Sequence, residues 1–327
     1  MNDQDRYQHA LEAIDNFDFE DAHYNFGILL ESNPDDVEFR CGFYASGYWA
    51  NRREAYERKR EGRPRAAYFI EEWDAFELQA GERGFPGCES MQATMRSILG
   101  TAADHFRIAF QEESAGAIDA GLLKQLSICL IRIEDYTNAA DILMFARRKT
   151  RPDAFLLFLL GESLCRLDEI DRVPFSARGL SYYRDACLVD HRAIDPALIA
   201  SRFAVRAFEK VYAEDSGGLE SAQEWFPAAL HALSFQPGLR QLTDAELDEV
   251  AAELARLTGD LERVIDRFKE RVSARLCFYH LLFMYHHSYQ EPDRTLVAEH
   301  EEALRALSES MLTLYRENRI GPGGPFG

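Results

Sequence analysis

The sequence predicts an all-α chain of stacked antiparallel helix pairs, and three observations carry that expectation. Between Gly121 and Ala186 a set of residues recurs after 34 positions: Leu123, Leu126, Ser127 and Leu130 are matched by Leu157, Leu160, Gly161 and Leu164. A small residue is followed four positions later by an aromatic one at Ala22/Phe26, Ala102/Phe106, Gly179/Tyr183, Ala204/Phe208 and Ala222/Phe226. Elsewhere the apolar residues also fall at helical spacings of three and four, and no stretch alternates with the period of two that a half-buried strand requires.

Taken in order, residues 3–34 predict a first pair. His9, Ala10 and Ala13 lie on one helix, and Ala22, Phe26 and Leu29 share a face of the next, with Pro34 closing the unit. The small residues have a physical purpose, because only Ala, Gly or Ser at a crossing lets two helices approach to the short end of the usual ~8–10 Å range. Residues 35–115 depart from the period. Asp35-Asp36 opens a helix with Phe39, Gly42, Phe43, Tyr44 and Trp49 that runs on into Asn51–Arg60. Gly62 and Pro64 break it, a further helix carries Phe69, Trp73 and Phe76, and Gly84, Pro86 and Gly87 end the section. The clearest repeats lie at 120–190, with a lengthened turn from Asp168 to Phe175.

Asp195-Pro196 reads as the N-cap and first turn of a helix with Ala204, Phe208 and Val211, stopped by Gly217-Gly218. Ala222, Phe226 and Ala229 follow, with Pro227 set against an unbroken helix. Thr243-x-x-Glu246 is a capping box, and Gly259 reads as the end of its helix. Val264 and Phe268 sit on its partner. An apolar helix over 275–288 and a last one from about Asp293 to Asn318 complete the stack, leaving 318–327 as a Gly/Pro tail.

Period, small-residue positions and closing proline together make the chain resemble the tetratricopeptide family, most specifically at 120–186, well at 3–34 and 244–270, and weakly between. The resemblance implies a right-handed superhelix, an α-solenoid over 1–317, whose first helices line a concave groove. It also implies a function without catalysis, as a scaffold or adaptor holding a peptide or protein partner. Mapped onto the 34-residue frame, the groove positions are Lys124, Ile128 and Arg132 in one repeat and Phe155, Phe158, Glu162 and Arg166 in the next. The first repeat offers Tyr7, Leu11 and Ile14. The chaperone-binding members of the family need Asn at the ninth position, where this chain has Ile128 and Glu162.

Composition bounds the alternatives. Hydrophobic residues make up 46% and charged ones 28%, as in a folded protein, and no run reaches the ~18 apolar residues of a membrane span. The formal net charge of −19 repels nucleic acid at long range. The N-terminus is polar and acidic with no secretory pattern, so a full-length chain is expected to be cytoplasmic. Six cysteines without a C-x-x-C pair argue against a zinc site and a disulfide framework. His280 and His287 are two helical turns apart, too far for one ion. No phosphate loop, dinucleotide fingerprint or nucleophile elbow is present, so neither cofactor nor metal is expected. Two other functions stay open. One is a helical enzyme or small-molecule sensor with a pocket near residues 35–85. The other is a nucleic-acid-associated factor using the basic segment 52–65, where Arg52, Arg53, Arg58, Lys59, Arg60, Arg63 and Arg65 alternate with Glu54, Glu57 and Glu61.

Overall fold

A computed structural model describes residues 2–85, 87–113, 119–149, 153–214 and 218–319; the end of the Gly/Pro tail lies outside them. Among the described residues the chain is all-α, with no strand. It divides into two compact units, Met1–Thr150 and Arg151–Gly327, and each is taken by itself.

Unit 1 holds α1 (Asp3–Asp15), α2 (Phe19–Ser32), α3 (Val37–Ala50), the single turn α4 (Arg53–Glu57), α5 (Arg63–Glu82), α6 (Glu89–Glu113), α7 (Ala120–Arg132) and α8 (Tyr136–Lys149). Sequential neighbours pack against each other at α1–α2, α2–α3, α4–α5, α5–α6, α6–α7 and α7–α8. The long α6 also packs on α1 and α3, which a strictly repeating stack does not do. That closure makes Tyr7, Leu11 and Ile14 buried residues, and the Tyr7 hydroxyl donates to Glu89 on α6 at 2.9 Å. The expected run from α3 through Arg60 is interrupted at Asn51–Arg52, and Gly62, at φ +81°, turns the chain into α5.

Unit 2 holds α9 (Ala154–Ile170), α10 (Ala177–Asp190), two 3₁₀ turns (His191–Ala193 and Pro196–Leu198), α11 (Arg202–Glu214), α12 (Leu219–Leu233), α13 (Asp244–Leu261), α14 (Asp266–Tyr289), α15 (Arg294–Leu307) and α16 (Glu309–Asn318). Here α16 returns to pack on α12. Four local expectations change. Asp195 caps only a 3₁₀ turn, accepting from the Ala197 N–H at 3.0 Å, and α11 begins later. The helix α12 passes through Pro227 without a break, because its surroundings are buried on all sides and packing outweighs the lost backbone bond. Gly259 lies inside α13 rather than ending it. The last predicted helix is two, divided at Ser308, whose extended backbone and hydroxyl cap α16.

Three hairpins share one turn. Phe17, Glu134 and Arg172 take left-handed backbone (φ 63°, 63° and 59°) just after α1, α7 and α9. In each the next N–H reaches back five residues: Asp18 to Ala13 (2.8 Å), Asp135 to Leu130 (2.8 Å) and Val173 to Asp168 (2.7 Å). This is the Schellman closure, which satisfies carbonyls at a helix end. Aspartate then caps many of the following helices: Asp18, Asp36, Asp119, Asp153 and Asp293 each accept a first-turn N–H. Such caps are each worth about 1 kcal/mol, and they account for part of the acidic composition.

The small residues sit where the repeat predicts. A Cβ on Gly161 would stand 2.9 Å from the Tyr183 backbone nitrogen, and one on Gly179 2.8 Å from the Cys165 nitrogen. Backbone therefore meets backbone where α9 crosses α10. Gly161→Ala is expected to lower stability by about 1–2 kcal/mol, overpacking of ~2–3 kcal/mol exceeding the ~1 kcal/mol of helix propensity gained. Gly100, mid-α6 with nothing within 4 Å of its Cβ position, supplies the control. Gly100→Ala should stabilise by up to about 1 kcal/mol, and urea melts of the two variants should move in opposite directions.

Candidate functional site

The seven groove positions predicted from the repeat are divided between the units. In unit 1, Lys124 and Ile128 are half-exposed on α7. Arg132 is committed within the unit: its guanidinium lies 2.6 Å from Glu77 and 3.8 Å from Asp74, both on α5, and over the Trp73 ring. In unit 2, Phe155 is half-exposed and Arg166 pairs with Glu169 at 2.9 Å.

Phe158 and Glu162 are fully buried, so they are core side chains and not surface contacts. Phe158 meets Tyr183 edge-on. Glu162 Oε1 accepts the N–H groups of Ala200 (3.0 Å) and Ser201 (2.7 Å); its Oε2 accepts the Ser201 hydroxyl (2.7 Å) and the Tyr183 phenol. Two turns further along the same face, Glu169 accepts the Arg202 N–H at 2.6 Å. Two carboxylates of α9 thus hold the chain leading into α11. Burial raises the pKa of Glu162 against these hydrogen bonds, which lower it. The signal that could have shown this is α9 itself: Leu156 to Leu160, five apolar residues in a row, put apolar side chains on every side, the mark of a helix covered all round.

The basic segment is neutralised in place. Arg52 pairs with Glu72 (2.6 Å), Arg53 with Glu57 and Glu20, Arg58 with Glu54, Arg60 with Glu112, Arg63 with Asp119 and Arg65 with Glu61. These arginines form a salt-laced face instead of an uncompensated cationic patch.

Beside that face lies a shallow cleft of about 430 Å³, lined by His23, Phe43, Tyr44, Gly47, Tyr48, Asn51, Arg52 and Gln79. It exists because α2 and α3 cross closely. At that crossing a Cβ on Gly42 would stand 2.3 Å from the buried Phe26 ring, and one on Gly47 2.8 Å from His23. Phe43, 37% exposed, stacks on His23 with centroids 4.0 Å apart. The Phe43 carbonyl can only accept, so His23 Nδ1 at 3.0 Å carries the proton. Tyr44 and Tyr48, one turn apart, are held by hydroxyl bonds to Gln79 (3.1 Å) and Glu72 (3.0 Å). Each carries a guanidinium, Arg83 over Tyr44 at 4.5 Å and Arg52 over Tyr48 at 3.3 Å. The cleft is thus an aromatic surface whose tyrosines are held in place, with the Arg83 guanidinium over Tyr44 and the Arg52–Glu72 pair beside Tyr48.

Burial pushes the thiols of Cys41, Cys129, Cys187 and Cys277 up to about 12, leaving them protonated core groups. In unit 2, Glu224 accepts from His191 Nε2 (2.6 Å), Arg192 (3.0 Å) and Arg271 (2.8 Å). The other nitrogen of His191, Nδ1, receives a donor nitrogen of Arg275 at 3.2 Å. Its lone pair is occupied, so the pair ties helices together and does not present a base. A second cleft, about 520 Å³, is lined by His287, Tyr289, Asp293, Val297, Glu301 and Arg319 among others. There Glu301 is taken by Arg316 and Arg319, each at 3.1 Å. No helix among the described residues is long and apolar enough to cross a membrane. No family model, curated protein or solved structure matches the chain.

Proposed function

We propose that this chain is a non-catalytic interaction protein, a tetratricopeptide-like scaffold that receives a segment of a protein partner. The observation that carries the reading is the aromatic cleft of unit 1. Tyr and Arg are the side chains that most often anchor protein interfaces, since they bring large contact area at low ordering cost. Here both tyrosines are already fixed by hydrogen bonds and guanidinium stacking, so little further entropy is lost on binding.

The rim defines the occupant. Arg83 donates to the Gln79 carbonyl at 2.8 Å and has no carboxylate partner among the described residues. An extended segment with an apolar anchor against Phe43 and Tyr44 and an acidic residue over Arg83 fits that chemistry. Lys124 and Ile128, half-exposed members of the predicted groove in unit 1, are secondary contact positions in the same proposal.

A photo-crosslinking amino acid at position 43 tests it. One protein should be captured there, and Tyr44→Ala with Arg83→Glu should reduce the adduct at least tenfold. Labelling no stronger than from the exposed position 212 (55% exposed) would overturn the reading. The cleft also falls in the 35–85 section assigned to the sensor alternative. A metabolite that raises Tm in the wild type but not in Tyr44→Ala would favour that alternative.

A further inference from the structure

The entry of α6 into unit 1 brings together two cysteines that lie far apart in the sequence. Glu38 of α3 accepts the N–H groups of Glu89 (2.9 Å) and Ser90 (2.7 Å), which seats the first turn of α6 against α3. Cys41 follows Glu38 by one turn on the same side of α3 and is buried. Cys88 immediately precedes α6. Its carbonyl accepts the Gln92 N–H at 3.1 Å, and its own N–H donates to Phe85 at 3.2 Å. Cys88 is half-exposed, and both residues are free thiols. Their sulfurs are close enough to act directly on each other, Cys41 as donor and Cys88 as acceptor.

We propose that Cys41 and Cys88 are an oxidative modification site, a dithiol that a hydroperoxide converts to a reversible disulfide joining α3 to the start of α6. The backbone on both sides is already fixed by hydrogen bonds, so side-chain rotation brings the sulfurs into bonding geometry without moving a helix. Exposure assigns the order of events. In the first step the half-exposed Cys88 thiolate attacks one peroxide oxygen: an S–O bond forms, the O–O bond breaks, and the departing hydroxide takes up a proton to become water. In the second step the Cys41 sulfur displaces the hydroxyl of the Cys88 sulfenic acid, and the Cys41 proton leaves with it as a second water. The two thiols lose two electrons and the peroxide gains them.

The N-terminus of α6 favours a thiolate at Cys88, whereas burial and the Glu38 carboxylate raise its pKa. The site therefore reacts slowly at neutral pH and faster as pH rises. The bond closes a loop that contains α4 and α5, which restrains the unfolded chain and stabilises unit 1. It stands independently of the interaction reading. Cys129, Cys165, Cys187 and Cys277, all buried, are internal controls.

The test treats the reduced full chain with hydrogen peroxide. Thiol titration in denaturant should lose two of the six thiols, and peptide mass spectrometry should find Cys41 linked to Cys88 within one chain. Dithiothreitol should restore all six, and the oxidised chain should melt at the higher Tm. The rate should be about tenfold higher at pH 8 than at pH 7, because below its pKa a thiol's ionised fraction rises tenfold per unit. Cys88→Ser should abolish the link, and Cys41→Ala should leave a Cys88 sulfenic acid that dimedone traps. The wild-type readouts need no variant to fold. Retention of all six thiols, a link between two chains, or a Cys88 sulfenic acid that persists beside reduced Cys41 would overturn the site.

Discussion

Glu162→Ala is expected to destabilise unit 2 by about 3–5 kcal/mol, the scale of removing one partner from a fully buried charged network. Four donors converge on this carboxylate, two of them backbone N–H groups leading into α11. Alanine would leave three of these donors, the Ser201 N–H and hydroxyl and the Tyr183 phenol, buried without their acceptor. Glu162→Gln keeps one oxygen for the Ala200 and Ser201 N–H groups, so its loss should be roughly 1–2 kcal/mol. Urea unfolding followed by circular dichroism reads both. A loss under about 1 kcal/mol for the alanine variant would contradict the buried network. The repeat frame treats the same residue as a binding position; in that case the variant would lose partner and keep stability.

Acidification from pH 7 to pH 4 should remove several kcal/mol from unit 2. Burial lowers His231 to about 3 and His280 and His300 to about 4, against an ordinary 6.5. His231 is enclosed by Phe235, Phe278 and Tyr285, with its Nε2 unpartnered and the Arg184 charge nearby. A depressed folded pKa means that the unfolded chain takes up the proton first. The histidine contribution is therefore flat above about pH 6.5, falls as pH drops through it, and is fully lost below pH 3–4, where Glu246, held down to about 2 by Arg240, continues the loss. One pKa unit corresponds to about 1.4 kcal/mol, so His231 alone is worth on the order of 4 kcal/mol by pH 3. The half-exposed pair contributes less after solvent screening. His231→Phe should lower the midpoint of acid unfolding, and an unchanged midpoint would show that another group governs it.

Much of the helical framework was legible. The caps at Asp36 and Asp293 and the Thr243–Glu246 box are local chemistry, readable because a side chain bonds a backbone group two or three residues away. Gly161 and Gly179 were readable for a related reason, since a repeat marks its crossing points with residues that have little or no side chain. The shared turn was hidden. Phe17, Glu134 and Arg172 occupy positions that glycine usually takes, and the surrounding hairpin imposes the left-handed backbone on them. The Asp195 and Gly259 readings failed because a cap or stop signal acts only where tertiary packing leaves the helix end free.

For the site the division is sharper. The sequence alone determined an acidic all-α chain with paired helices, close small-residue crossings and a basic segment interleaved with glutamates. Only the tertiary structure decided which faces of those helices are covered. It took Phe158 and Glu162 into the core, matched each arginine of the basic segment to a carboxylate, and set Phe43, Tyr44 and Tyr48 at the edge of a cleft. It also brought His280 to His300. The physical reason is common to all four: helical periodicity fixes which residues share a face, but burial of that face depends on helices distant in the chain, and their approach leaves no local mark.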